Sequence, residues 1–489
     1  MRTRHASADP DIQIEHSKTR QFRWFNVMMI IAMSLGSLGY GCSASIMGTT
    51  MAQPYFISYF ELDTRRNGTP LKAATTGLYM AGGFIGCFLI TPIADKWGRK
   101  MGIALASATV AISSALLCGS VHFGMFMAMR FINGVGAFCL LLVIPVWMAE
   151  VAPPSVRGAM GVSHGISLSI GYCISQWLGY GFLHVKSNLA WRIPLLVQCF
   201  PLIALLLMIY WIPESPRYLL MKDRPEDAAT VLHKLHNEEE ATIELEQIRN
   251  QIAIDSRLDS SWRRIATKPS YRKRAIIAVI LASSTQMVGA LVINNYGPSI
   301  YGGLHYDKES QFIFHACSTM AGTVMSPFAV WIVDRVPRNK LMAISEANNV
   351  HGLRAAVSMM FIFFAAFNGG VDCTLWPYLG EIFPTHLRVK GMALAVASIT
   401  LTDVVWLQAA PTALENIGWK FYMCFICPAI LMSLWIYFFA PDTWGVPLEE
   451  VAAMFGDRDE LYYADEHVEK NDEETEKEAV LVEHLHSTV

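Results

Sequence analysis

Long runs of apolar residues alternate with short polar connectors along most of this chain. A helix that crosses a lipid bilayer needs about 20 such residues. The first half holds six candidate runs, at about 25–48, 72–93, 101–120, 124–148, 160–183 and 193–212. The second half holds five, at about 275–300, 311–332, 355–378, 392–414 and 420–440. The pattern predicts an all-α, polytopic membrane protein with eleven spans.

The polar stretches divide the chain further. Residues 1–23 are polar and basic, which predicts a cytoplasmic tail and not a signal peptide. Two transmembrane halves follow, at 24–213 and 275–455. Residues 214–274 are polar with apolar positions at helical spacing, which predicts a cytoplasmic helical linker. Residues 456–489 are acidic and too poor in apolar side chains to fold alone, so we expect a disordered tail.

Composition agrees with a membrane protein, because 53% of the 489 residues are hydrophobic, 16% are charged and the mean hydropathy is +0.33. The placement of the charges predicts how the chain is oriented in the membrane. Basic residues gather in two connectors, which predicts that these connectors and both termini are cytoplasmic. The basic residues are Lys96, Arg99, Lys100, Arg335, Arg338 and Lys340.

The sequence contains no recognisable catalytic or cofactor motif. The ten cysteines are scattered, and Cys424 and Cys427 lie within a span, where apolar filling is the simpler interpretation. We find no nucleophile with its base, no metal-ligand cluster and no phosphate loop. We therefore expect no enzyme activity, no cofactor, no metal and no nucleic-acid partner.

Three landmarks occur twice in the same order. The loop PVWMAEVAPPSVRG at 145–158 is matched by PYLGEIFPTHLRVKG at 377–391, and a Glu precedes an Arg by seven residues in both. ADKWGRK at 94–100 is matched by VDRVPRNK at 333–340, and IPESPRYL at 212–219 by APDTWGVPLEE at 440–450. Paired landmarks indicate two homologous halves, an arrangement typical of transporters built from repeats.

These motifs, together with RFINGVG at 130–136, resemble the sugar porter family of the major facilitator superfamily over about residues 25–455. The resemblance implies a major facilitator fold and a plasma-membrane carrier of a sugar or sugar-like small molecule that works by alternating access. It also implies substrate contacts mainly on the seventh and tenth spans. Two alternatives stay open: a carrier of another organic solute such as a quinate-like acid, and a non-transporting nutrient sensor.

Helical spacing selects candidate substrate contacts on those two spans. Asn368, Asp372 and Trp376 share one helix face, as do Gln286 and Asn294. Amides and a carboxylate pair with hydroxyls, and an indole packs on the C–H face of a sugar ring; for Trp376 a place in the membrane-interface belt is the alternative. Where sugar porters carry polar contacts this chain has Gly165, Thr285, Leu291 and Gly322. The replacement of these polar contacts favours a ligand that is bulkier or carries fewer hydroxyl groups than a simple hexose.

Acids and bases at the helix ends of both halves can pair across the cytoplasmic face and hold it shut. The alternative is that they only fix topology, although acids contribute little to orientation. The predicted gate residues are Asp95, Arg99, Glu150, Arg157, Glu214, Arg217, Asp334, Arg338, Glu381, Arg388 and Asp442.

Ionisable residues inside spans are functional candidates by default. Arg130 should face the cavity. Proton-coupled sugar porters commonly carry an Asp after Gly-Tyr in the first span, but here Gly41 follows Tyr40. Passive facilitation and proton symport through Asp372 or Asp403 therefore both stay open, and His164 is a weaker proton-coupling candidate that also fits a core histidine.

The second half is one span short of the first. Between Asp95 and Glu150 there are 55 residues with two spans, whereas between Asp334 and Glu381 there are 47 with one. The segment SEANNVHGLR at 345–354 is polar. We predict that the ninth span was lost through a splicing or gene-model error; a re-entrant or displaced helix is the alternative. Asn67 begins a glycosylation sequon on the predicted outer face.

Overall fold

The computed structural model describes residues 24–63, 68–151, 157–235, 238–255, 261–303, 306–333, 356–417, 420–421, 423–441 and 455. The described residues form α-helices and no strands. In the first half these are α1 Trp24–Ala52, α2 Pro54–Tyr59, α3 Gly68–Trp97, α4 Arg99–Cys118, α5 Phe123–Val151, α6 Arg157–Leu183, α7 Leu189–Val197 and α8 Cys199–Met208. The predicted linker holds α9 Pro216–Met221, α10 Pro225–Leu235, α11 Glu238–Asp255 and α12 Trp262–Thr267.

The second half contains the remaining helices and two irregular turns. They are α13 Pro269–Met287, α14 Ala290–Gly303, α15 Lys308–Val333, α16 Ala356–Ala366, α17 Cys373–Ile382, α18 Arg388–Ile417 and α19 Met423–Phe439. A π-helical turn, Phe367–Asp372, joins α16 to α17, and a 3-10 turn, Thr385–Leu387, precedes α18.

Within the part of the chain that the structure describes, seven helical stretches are long and apolar enough to cross a membrane. They are Trp24–Ala52, Pro70–Trp97, Arg99–Cys118, Phe123–Val151, Leu189–Met208, Pro269–Gly302 and Arg388–Ala413. The shorter helix Met423–Phe439 is also apolar. The predicted all-α membrane fold is confirmed. The count of eleven spans stays a prediction, because residues 334–355 lie outside the described part of the chain.

Burial separates an inner from an outer ring of helices. Along α5, residues 136–148 are all buried. On α19, by contrast, Leu431 is 66% exposed and Phe438 is 72% exposed. An apolar surface of this kind is stable only against lipid or protein, so α19 lies at the membrane-facing side of the bundle and α5 at its centre.

Glycines set the close spacing between α3 and α5. A Cβ on Gly134 would meet the carbonyl oxygen of Tyr79, and a Cβ on Gly82 would meet that of Phe131. Within a bilayer, helices associate through packing and not through a hydrophobic driving force, so small residues at a crossing allow the backbones to touch. Gly134 and Gly82 therefore allow α3 and α5 to approach closely.

Contacts with α6 fix the direction of its neighbours. Tyr180 of α6 contacts Glu309 near the start of α15, and Ser169 accepts a hydrogen bond from Thr323 further along it, so the two helices are antiparallel. The helix α17 is also antiparallel to α6, because His164 packs on Trp376 while the earlier Gly161 faces Pro377. The helices α15 and α17 therefore run the same way.

Two interruptions lie beside the central cavity. The chain breaks between α13 and α14 at Gly289, whose φ of 81° favours glycine. The span predicted at 275–300 is present within Pro269–Gly302, with this break inside it. The π-helical turn after α16 contains Gly369 and Gly370, and π turns within helices are frequent at functional sites.

Candidate functional site

A cavity lies between helices of both halves. The lining residues are Tyr40, Leu141, Tyr172, Gln286, Ala290, Leu291, Asn294, Phe364, Phe367, Asn368, Asp372, Trp376, Ile399 and Asp403. The structure therefore brings together all five residues predicted to contact substrate, and adds the predicted proton-coupling residue Asp403.

The amide of Asn294 connects the two halves at this cavity. Its Oδ1 accepts hydrogen bonds from Ser45 Oγ of α1 at 2.7 Å and from Gln176 Nε2 of α6 at 3.2 Å. Gln176 Nε2 also donates to Ser45 Oγ at 2.6 Å. We call Ser45, Gln176 and Asn294 the polar clasp; all three are buried, so separating them requires other partners or water.

The other two amides are less constrained. Gln286 is partly exposed, and its Nε2 donates to the Thr285 hydroxyl at 3.3 Å. Asn368 is 2% exposed, and the absence of a side chain at Gly322 leaves the space that its amide occupies. Gln286 is therefore the amide with most freedom to turn toward a solute.

Two carboxylates point into the cavity. Asp372 Oδ1 accepts a hydrogen bond from the Trp376 indole at 3.4 Å, and Asp372 Oδ2 has no partner among the described residues. Asp403 is 2% exposed, and its Oδ2 likewise has no partner in the described part of the chain. Both carboxylates lie close enough to Tyr40 and Tyr172 to act electrostatically on their hydroxyls.

Trp376 is 4% exposed and lines the cavity, so a place in the membrane-interface belt does not fit it. The His164 ring meets the Trp376 ring edge-on, with centroids 5.2 Å apart. His164 Nδ1 is hydrogen-bonded to Ser37 Oγ at 2.7 Å, and its Nε2 has no partner within the described residues. His164 supports the wall of the cavity from behind and does not line it.

Arg130 is fully buried but does not line the cavity, so the prediction that it faces the cavity is wrong. Its guanidinium lies 3.8 Å from the ring centroid of Tyr79 and donates to the Ser43 carbonyl at 2.9 Å. Cation–π contact and a backbone carbonyl replace the carboxylate that sequence reasoning expects for a buried cation.

A charged cluster closes one end of the first half. Arg99 Nη2 donates to Glu150 Oε1 at 3.0 Å, with both side chains almost fully buried, and Arg99 Nη1 lies 3.9 Å from Asp95. The Glu214 carboxylate accepts backbone N–H bonds from Arg99, Lys100 and Ser215 at 3.0–3.2 Å, which caps the positive end of α4. Burial raises the pKa of Glu214, and the backbone hydrogen bonds oppose this rise.

Only part of the predicted gate falls within the described residues. Arg388 of the second half is buried and close enough to Glu150 for its charge to stabilise that carboxylate, and Lys390 acts similarly on Asp95. Glu381 lines a smaller space where α17 meets α5 and α6, and Arg217 is buried in α9. The side chains of Asp334, Arg338, Asp442 and Arg157, and the sequon at Asn67, lie outside the described part of the chain. Closure of the face by cross-pairing stays a prediction.

Sequence reasoning missed the aromatic part of the wall, above all Tyr40 and Tyr172. Each tyrosine lies next to a glycine at the contact between α1 and α6. At this contact a Cβ on Gly171 would lie 2.9 Å from the Cα of Gly41. The two Gly-Tyr pairs, at 39–40 and 171–172, were the available signal. The contact between the helices, which no single stretch of sequence reveals, carries both rings to the cavity.

Comparison with known proteins gives consistent matches over nearly the whole chain. The family described as "Sugar (and other) transporter" matches residues 28–455. The chain is 28% identical over 468 residues to the MFS-type transporter criB of Aspergillus cristatus, covering 91% of this chain and 96% of that one. It is 25% identical to the high-affinity glucose transporter of Kluyveromyces lactis, covering 91% and 88%.

Solved structures share the fold. The proton:xylose symporter XylE bound to 6-bromo-6-deoxy-D-glucose matches with a TM-score of 0.78 at 22% identity, covering 88% of this chain and 99% of that one. An inward-open conformation of XylE from E. coli matches with a lower TM-score of 0.69. The architecture is thus that of a major facilitator protein.

Proposed function

Because the chain belongs to the sugar (and other) transporter family, we propose that it carries a sugar or sugar-like small molecule across a membrane by alternating access. One observation carries this proposal: a single cavity between helices of both halves is lined by Gln286, Asn294, Asn368, Asp372 and Trp376. Polar groups that converge on an apolar and aromatic wall suit a small hydroxylated solute. We place the carrier in the plasma membrane, with both termini cytoplasmic, acting in transport and not in catalysis.

Two sets of contacts supply the gates in this proposal. The polar clasp ties α14 to α1 and α6 on one side of the cavity. On the other side, the buried Arg99–Glu150 pair faces the charge of Arg388. Rocking of the halves around the cavity breaks one set while the other holds, so the solute meets only one side of the membrane at a time.

The source of energy depends on which groups exchange protons. We favour passive facilitation, because position 41 holds glycine and the structure leaves no room there for a carboxylate: a Cβ would meet the Leu168 carbonyl and lie 3.1 Å from the Cα of Gly171. Proton symport through Asp372 or Asp403 is the second candidate, because both are carboxylates at membrane depth. Uptake at two external pH values, with and without an uncoupler, separates the two. Accumulation that collapses with uncoupler, and is lost in Asp372→Asn or Asp403→Asn, would overturn passive facilitation.

The test of transport itself is uptake of labelled sugars by a host that lacks its own sugar transporters. We expect uptake above the empty host, competed by a subset of sugars and sugar-like solutes. A quinate-like acid belongs in the same panel as the rival substrate class. A protein present in the membrane that takes up none of these solutes would contradict the proposal and would favour a non-transporting sensor.

A further inference from the structure

The cavity is lined by two acidic side chains that have no basic neighbour among its described lining residues. Asp372 and Asp403 both line it, and no lysine or arginine does so among its described lining residues. The unpartnered Oδ2 of Asp403 sits on a residue that is 98% buried. A buried carboxylate without a compensating positive charge is strongly destabilising. The cavity is therefore electrostatically incomplete when it is empty.

The buried bases of this region are committed elsewhere. Arg130 lies over the ring of Tyr79 and donates to the Ser43 carbonyl. His164 is hydrogen-bonded to Ser37 and reaches the cavity only through the edge of Trp376. Arg99 pairs with Glu150. None of them forms a salt bridge with Asp372 or Asp403 in the described part of the chain.

We propose that the carried solute bears a positively charged amine, which binds between Asp372 and Asp403. This inference rests on the proposed function and narrows its substrate class. An ammonium group has three donors and no acceptor, which matches two carboxylates with free oxygens. The neutral remainder of the solute lies toward Gln286 and Asn368, whose amides can bind hydroxyls.

The aromatic wall favours an amine over a bare proton as the positive charge that neutralises the two acids. Tyr40, Tyr172, Phe364, Phe367 and Trp376 all line the cavity. Aromatic faces attract organic cations and pack on their apolar bodies, whereas a proton held by a carboxylate needs no such wall. The same two carboxylates repel an organic anion, so the amine-bearing class also excludes a quinate-like acid.

Matched pairs of probes test this inference directly on the purified full-length protein. D-glucosamine is compared with neutral N-acetyl-D-glucosamine, and tyramine with neutral N-acetyltyramine, by equilibrium binding at pH 7. We expect the amine of at least one pair to bind about tenfold more tightly than its acetylated partner, which corresponds to about 1.4 kcal/mol.

Variants assign the preference to the two acids. Asp403→Asn and Asp372→Asn keep the side-chain shape and remove the charge, so each should reduce amine binding about tenfold and change binding of the acetylated partner much less. Glu309→Gln is the control, because that acid is 60% exposed on α15, outside the cavity. Its binding should match that of the original protein.

Each outcome decides the inference. If the amine and its acetylated partner bind equally in both pairs, the inference is overturned without the variants. The proposed function would still stand in that case, provided that the protein binds neutral sugars. An amine preference that survives both Asn variants also overturns it. If the folded protein binds no probe, amine or sugar, the inference and the proposed function fail together.

Discussion

A single indole links Asp372 in the cavity to His164 behind its wall. Trp376 donates to Asp372 through its N–H, meets the edge of the His164 ring and contributes its own surface to the wall. The hydrogen bond orients the carboxylate, and the histidine contact holds the indole in place. The position of the Trp376 side chain therefore depends on neighbours in α6 and in the π-helical turn.

At the residue scale the clearest test is Gln286→Ala. The amide lines the cavity and has only one weak internal partner, Thr285, so its loss leaves a solute hydroxyl unpaired at about 1 to 3 kcal/mol. We expect the apparent affinity for the transported solute to fall roughly fivefold to hundredfold. Gln311→Ala is the control, because that amide donates to the Tyr306 carbonyl away from the cavity. Unchanged affinity in Gln286→Ala would remove this residue from the site.

At the element scale the crossing of α1 and α6 positions both cavity tyrosines. Gly41→Ala places a methyl group against the Leu168 carbonyl and the Gly171 backbone, so we expect a loss of about 1 to 3 kcal/mol in stability, seen as a lower thermal midpoint in detergent. Gly181→Ala, in the same α6 but with nothing within 4 Å of the added Cβ, should leave the midpoint unchanged. Equal midpoints for the two variants would contradict the crossing.

The charged cluster at the helix ends gives a second test at this scale. Glu150→Gln removes one partner of the buried Arg99 pair, and leaving such a charge uncompensated costs about 3 to 5 kcal/mol. Asp227→Asn breaks a surface ion pair in which the Arg224 side chain is 59% exposed and the Asp227 side chain 54% exposed. Solvent screening limits the resulting loss of stability to below about 1 kcal/mol. Thermal unfolding of both variants measures the difference; similar losses would show that Arg99 does not need Glu150.

How much the sequence could predict depended on the scale of the feature. Helix runs such as 124–148 follow from local hydropathy, and the face of Asn368, Asp372 and Trp376 follows from helical spacing. The break at Gly289 and the turn at Gly369 depend on neighbouring helices, so local pattern missed them. The orientation of Arg130 was mispredicted because a Tyr79 ring, distant in sequence, compensates its charge.

At the scale of the whole molecule the parallel directions of α15 and α17 need an explanation. The helices α15 and α17 are both antiparallel to α6, yet residues 334–355 between them include the polar stretch SEANNVHGLR. Polar, charged residues cross a bilayer poorly. A lost ninth span accounts for both facts.

Sequencing of the transcript across Ser345 tests this prediction. We expect an apolar insertion of about 20 residues, which would restore one more crossing. Expression of the extended chain should then raise the amount of folded protein above that of the 489-residue chain, because an added span would complete the second half. A transcript that encodes these residues without an insertion would contradict the lost span and would favour a genuine variant.

The central claim, alternating access at one cavity, is tested most directly by counterflow in liposomes that contain the purified full-length protein. Vesicles are loaded with unlabelled D-glucose or D-glucosamine and diluted into a trace of the same labelled solute. A carrier that exposes one site to one side at a time predicts a transient overshoot of label, lost in Gln286→Ala and kept in Gln311→Ala. Slow entry of both labelled solutes without an overshoot, at the rate of protein-free vesicles, would contradict the account.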